Sequence, residues 1–209
     1  MRSMEWKSWN EFRDPARVKQ LLESVTAAME AATSRLGRRA RLMEVCGTHT
    51  VAFSRSGVRS LLKPYVDLVS GPGCPVCVTD QHDIDTMIAA ARIPGVTLCT
   101  FGDMMRIPGT RTTLQQEKAA GADVRVVYSV LDAVRVAAQN PAQQVVFLGV
   151  GFETTAPAIA RAILEAEAQS LDNFSVISAH KYTPPAVRTL LTAPDVQIDG
   201  FILPGHVSV

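Results

Sequence analysis

No stretch of this 209-residue chain approaches eighteen unbroken apolar residues, so a membrane-spanning helix is excluded on length. The opening MRSMEWKSWNEF lacks the apolar core of a secretory signal peptide. Net charge is nearly absent: 21 Lys and Arg stand against 20 Asp and Glu, a formal +1, which gives no general pull toward nucleic acid or an anionic membrane. These absences lead to the expectation of a cytoplasmic protein. Cysteine is scarce as well, with Cys46, Cys74, Cys77 and Cys99 the whole supply. In a reducing compartment a C-x-x-C pair reads as catalytic or metal-binding before it reads as a structural disulfide. A second C-x-x-C is missing, which disfavours a zinc ribbon.

What the chain does have is an ordinary globular composition, 47% apolar and 20% charged, and enough length to bury a core. The segment DPARVKQLLESVTAAMEAATSRLG predicts a helix with Asp14 as N-cap, Pro15 in the first helical position and Gly37 as the stop. Val18, Leu21, Leu22, Val25, Met29 and Leu36 form its apolar stripe. Short apolar runs then alternate with amphipathic segments. The runs at 41–46, 65–70, 96–101, 124–129, 144–150, 174–179 and 198–203 predict strands. Continuous apolar strands separated by helices imply parallel sheets covered on both faces, an α/β architecture of two similar doubly wound units. The polar stretch RIPGTRTTLQQEKAAGAD is the expected junction. The domains expected are therefore 1–40, a helical segment; 41–113, a first α/β unit; and 114–209, a second and incomplete one. A short internal echo supports two units: LMEVCGTHT resembles FLGVGFETT, and VDLVSGPGCPVC resembles IDGFILPGHVS.

The reactive side chains fall just past the predicted strands: Cys46 and His49; Cys74 and Cys77; Asp103; Glu153, Thr154 and Thr155; His180 and Lys181; His206. Ligands of open parallel sheets bind beyond the carboxyl ends of the strands. In CGTHT, a thiol and an imidazole flank Gly47, so both can face one metal ion, or the imidazole can activate the thiol. A cysteine that merely ends a strand beside a surface histidine has the same pattern. Thr48 and Thr50 are candidates to cap the next helix or to hydrogen-bond the ligands. In GPGCPVC the glycines let the backbone turn tightly, and Thr79 or Asp80 caps the following helix. Placed near a helix N-terminus, Cys74 and Cys77 should have lowered pKa values, as a redox dithiol requires. Glu153 in GFETTAP has three readings: a general base, a support for His49, or a capping carboxylate. Cys99, inside a strand, reads as core.

Taken together, MEVCGTHT, GPGCPVCVT, TFGDMMRIPG, GFETTAP, HKYTPPA and PGHVS resemble, in order, the HypD family of hydrogenase formation proteins, with the likeness running from about residue 40 to the end. The resemblance implies two similar α/β domains facing a cleft and a scaffold for assembling the Fe(CN)2CO group of NiFe hydrogenase, rather than a conventional turnover enzyme. It implies that Cys46 ligates iron with His49 beside it. Cys74 and Cys77 would supply electrons for cyanide transfer, with Glu153 and Thr154 lining the same site. The implied partners are a HypC-type small chaperone offering another thiolate and a HypE-type protein presenting cyanide as a thiocyanate. Family members are longer and carry a 4Fe-4S cluster on C-terminal cysteines. No cysteine follows Cys99, so the ligands of that cluster are not in this sequence, and the chain is expected to be an N-terminal fragment. The competing reading from a different class is a thiol-disulfide oxidoreductase that uses Cys74 and Cys77 alone.

Overall fold

In the computed structural model, which describes residues 14–205, Asp14 accepts a hydrogen bond from the Ala16 N–H at 2.9 Å and opens helix α1 (Pro15–Leu36). Gly37 ends it in the left-handed region, φ 68°, returning its N–H to the Thr33 carbonyl. The apolar stripe is only partly used. Leu22, Met29 and Ala32 pack on a small cluster of Ala40, Leu62 and Val66, while Val18, Val25 and Leu36 stay exposed.

All seven apolar runs form strands: β1 (Ala40–Glu44), β2 (Val66–Ser70), β3 (Val96–Thr100), β4 (Val124–Val126), β5 (Gln144–Gly149), β6 (Phe174–Ser178) and β7 (Gly200–Ile202). Between them run α2 (Gly47–Arg55), α3 (Val58–Leu62), α4 (Gln81–Ala91), α5 (Leu114–Ala119), α6 (Val130–Gln139), α7 (Ala156–Ala168) and α8 (Thr183–Thr192). β4 is shorter than its apolar run because Ser129 is recruited as the N-cap of α6, in a capping box with Asp132. β7 is shortened at its start, where Asp199 accepts from the Arg41 N–H at 2.7 Å and is used as an anchor.

The strands divide into two fully parallel sheets, ordered β2-β1-β7 and β4-β3-β5-β6. The second is doubly wound, and its strands show why. Leu98 and Leu148 face a cluster built with Ile84, Met87 and Leu114 from α4 and α5, while their neighbours Cys99 and Phe147 face Ala133, Val134, Ile159 and Ala162 from α6 and α7. With both faces buried, each strand must be apolar throughout. Phe147 is fully buried, a burial that contributes about 1.5–3 kcal/mol, and meets Phe101 edge-to-face at 5.3 Å.

The division of the chain differs from the sequence expectation. Described residues up to Gly73 and those from Leu191 on make one compact unit; Cys74–Leu190 makes the other. A boundary after residue 113 would separate β3 from its partner β4, whose pairing it needs. The stretch proposed as a junction is crossover structure inside the second unit. Asp85 accepts from the Thr110 N–H at 2.7 Å and from its hydroxyl, and Leu114 is buried. The last strand, expected in the second unit, pairs instead with β1 of the first. The sequence echo between VDLVS and IDGFIL thus relates β2 and β7, the two strands flanking β1.

Candidate functional site

Each sheet has a point where its connections leave in opposite directions, between β1 and β7 in the first and between β3 and β5 in the second. The loops at the carboxyl ends there form the binding crevice of open α/β sheets. In the first unit the loop after β1 carries Cys46, which immediately precedes α2. Cys46 has φ 103° and ψ 124°, a backbone conformation rare for any residue but glycine. Such a residue costs of order 1–3 kcal/mol and persists only where its surroundings enforce it. The enforcement is visible: the Cys46 N–H donates to the Pro72 carbonyl at 3.2 Å, and the Cys46 carbonyl accepts from the His49 N–H at 3.0 Å. Gly73 packs against the backbone of Cys46 and Gly47 so closely that a Cβ on it would fall on Gly47 N and Cys46 Cα. Cys46 and His49 are both half-buried and share this single turn. Thr50, considered as a cap or a support for the ligands, instead donates its hydroxyl to Glu44 at 2.6 Å.

Cys74 and Cys77 belong to the second unit. The Cys77 N–H donates to Cys74 Sγ at 3.3 Å, so the turn Pro75–Val78 brings the pair together. Neither is in a disulfide; Cys74 packs against the buried cluster around Val76, and Cys77 is exposed. At Cys77 the expected lowering of the thiol pKa is reversed. α4 starts only at Gln81, with Asp80 as its cap, so the pair lies outside the helix N-terminus. The Cys77 thiol is pushed up, first by its hydrogen bond with the Cys74 side chain and then by burial. Asp80 accepts from the His82 N–H at 2.8 Å, and the Thr79 hydroxyl turns back to the Pro75 carbonyl.

At the switch point of the second unit stand Asp103 and Glu153. Asp103 accepts from the Met104 N–H at 2.9 Å and starts a 3-10 turn. Glu153 turns out to cap a helix, and the helix is α8. It accepts from the Thr183 N–H and, at 2.9 Å, from the Thr183 hydroxyl. Burial works to raise the Glu153 pKa, but hydrogen bonds from its own N–H and from Thr183 outweigh it and hold the carboxyl below the usual range. Thr154 is exposed on the same loop. His180 accepts or donates at Nδ1 to the Ser178 hydroxyl at 2.8 Å, and burial lowers its pKa. Lys181 reaches Asp83 of α4 at 3.4 Å. His206 lies outside the described residues.

Sequence reasoning missed Glu44. A carboxylate inside the apolar strand LMEVC is out of place unless it has a partner, and that was the available signal. Its side chain is 0% exposed and takes two 2.7 Å hydrogen bonds from Arg59 of α3. Cys99 is core, as expected, and burial pushes its thiol up to about 11. Among the described residues no group of three or more His, Cys, Asp or Glu side chains stands ready to hold a metal ion. The Cys46 turn carries a thiol and, three residues on, an imidazole. No described helix is long and apolar enough to cross a membrane.

A family model described as "Hydrogenase formation hypA family", HypD, matches residues 17–209. The chain is 46% identical over 200 residues to the hydrogenase maturation factor HypD of Rhodobacter capsulatus, covering 96% of this chain and 53% of that protein. The HypD of Escherichia coli strain K12 is also 46% identical over 200 residues, covering 96% of this chain and 54% of its own. The hydrogenase expression/formation protein HupD of Azotobacter chroococcum is 44% identical over 205 residues, at 95% and 53% coverage. The chain spans about half the length of these curated relatives. With nearly all of its residues inside the family match and the motif-bearing turns at its strand ends, this chain belongs to the HypD family.

Proposed function

We propose that this chain acts in hydrogenase maturation, as a scaffold on which the Fe(CN)2CO group of NiFe hydrogenase is assembled. In this reading Cys46 binds the iron, His49 stands beside it, and the Cys74/Cys77 dithiol supplies electrons for cyanide transfer. Iron is the cargo. Two cyanides and one carbonyl supply three ligands and a HypC-type partner contributes a second thiolate, so two donors from this chain suffice. The observation that carries the reading is the backbone of Cys46, held at φ 103° by its neighbours. A non-glycine residue held in so rare a conformation at a sheet's switch point supports a working role for the thiol there.

The redox step balances. A HypE-type donor carries cyanide as R–S–C≡N, and two electrons cleave the S–C bond to give R–S⁻ and cyanide, which passes to iron. The two electrons come from Cys74 and Cys77, which lose two protons and close a disulfide. A second cyanide requires the disulfide to be reduced again by an external dithiol reductant. Glu153 contributes by fixing the start of α8, and Thr154 offers an exposed hydroxyl on the same loop.

The test is infrared spectroscopy of the chain co-produced with HypC-type and HypE-type partners. The unchanged protein should show cyanide and carbonyl bands, and Cys46→Ala should lose them to baseline. A Cys74→Ser/Cys77→Ser variant should lose the cyanide bands. Undiminished bands in Cys46→Ala would overturn the ligand assignment; undiminished cyanide bands in the double variant would overturn the electron role.

A further inference from the structure

We infer that Glu44, gripped by Thr50 and Arg59, is a positioning device for the Cys46 turn, setting the directions of the Cys46 thiol and the His49 ring. The inference builds on the reading of Cys46 as the working thiol. Glu44 is the last residue of β1, two positions before Cys46, and its carboxylate is fully buried. One oxygen accepts from Arg59 Nη2 and the other from both Arg59 Nη2 and the Thr50 hydroxyl, at 2.6–2.7 Å. Arg59 Nη1 continues to the Leu68 carbonyl of β2 at 3.0 Å. The Glu44 carbonyl accepts from the Gly71 N–H at 2.8 Å. One residue therefore ties β1, α2, α3 and β2 together around the turn that carries the strained cysteine.

The role of Thr50 decides between positioning and simple stability. It lies in the first turn of α2, next to His49, and its hydroxyl is the bond by which Glu44 fixes the rotation of that helix. A buried ion pair is poor evidence for stabilisation, because desolvation offsets much of the attraction. What this network does supply is geometry: although Arg59 Nε is buried without a partner, both guanidinium Nη groups and the Thr50 hydroxyl are engaged, and those bonds favour one arrangement of the elements they join. An arrangement enforced this way also explains how a non-glycine residue is kept at positive φ.

The experiment uses the full chain without iron, so its outcome is independent of whether iron binds. Alkylation of Cys46 by iodoacetamide is followed by peptide mass spectrometry, with Cys77 of the same molecule as the internal reference and the thermal transition recorded in parallel. Thr50→Val keeps the size and removes the hydroxyl. The Cys46/Cys77 rate ratio should rise by about three- to ten-fold, the equivalent of one net hydrogen bond. Thr50→Ser should restore the original ratio. If Thr50→Val does not fold, Arg59→Lys, which keeps the charge but not the fork to Glu44 and Leu68, should raise the ratio in the same direction. An unchanged ratio in a folded Thr50→Val or Arg59→Lys protein, even with a lowered thermal midpoint, would overturn the positioning role and leave a structural one.

Discussion

Gly73 carries no side chain because the backbone of Cys46 and Gly47 occupies the space one would need, and Gly71 is confined in the same way by the Met43 side chain. These two glycines flank Pro72, whose carbonyl takes the Cys46 N–H, so GPG is the outer wall of the Cys46 turn as much as the lead-in to the dithiol. At the same scale the thiols sort themselves by environment. Cys99 is sealed in the core with a pKa of about 11 and is inert at neutral pH, whereas Cys77 is exposed but holds its proton because of Cys74. Removing that cause should move Cys77 back toward an ordinary thiol. A raised pKa means less thiolate at a given pH, so Cys74→Ala should shift the midpoint of Cys77 alkylation to lower pH and speed it at pH 8. A midpoint that stays put would show that Cys74 is not the cause. The spacing of the two cysteines puts them on one turn, where the Cys77 N–H donates to Cys74 Sγ. The dipole effect expected at Cys77 failed because it depends on where α4 begins, and Asp80 starts that helix beyond the pair.

Among the described elements, β7, like β4, is only three residues long and lies on a sheet edge, here of a three-stranded sheet. It is held by Asp199, which accepts from the Arg41 N–H and forms a two-pronged pair with Arg38 at 2.7 and 2.9 Å. The Arg38 guanidinium, and then the Arg41 N–H, hold the Asp199 carboxyl below the usual carboxylate range. A depressed carboxyl stabilises the fold above its ordinary pKa, and the contribution is lost as pH falls through the lower folded value. Asp199→Asn should therefore loosen β7 at neutral pH and make little difference in strong acid. Hydrogen exchange reads this at the Val45 N–H, which donates to the Ile202 carbonyl and should exchange about three- to ten-fold faster in the variant. Equal exchange would leave the strand's attachment to backbone pairing alone. The existence of every strand was legible, because strands buried on both faces are written as unbroken apolar runs. Sheet membership was not: nothing in GFI marks it as a neighbour of β1 rather than of β6. Helix α1 was legible to both its caps, but its stripe overstated its packing.

For the whole molecule, the unexpected feature is a unit made from two separated pieces of chain, with β7 arriving from beyond the second unit to complete the first sheet. Local pattern reports periodicity and caps, and a boundary of this kind is set by pairing between distant segments. The family was more legible than the domains, because the motifs that carry the resemblance are short, local stretches at strand ends. Glu44 stood out only as a carboxylate in an apolar strand, and its partners Arg59 and Thr50 are identified by the fold. The central claim is that Cys46 takes the iron while the Cys74/Cys77 pair cycles. It is tested most directly by comparing site-resolved alkylation of the chain, assembled with HypC-type and HypE-type partners, before and after iron is loaded. A metal–thiolate bond withdraws the sulfur from alkylation, so the account predicts that loading protects Cys46, while Cys77 is reactive again once the Cys74/Cys77 disulfide has been reduced. Cys46 alkylated at the same rate with and without iron would contradict it.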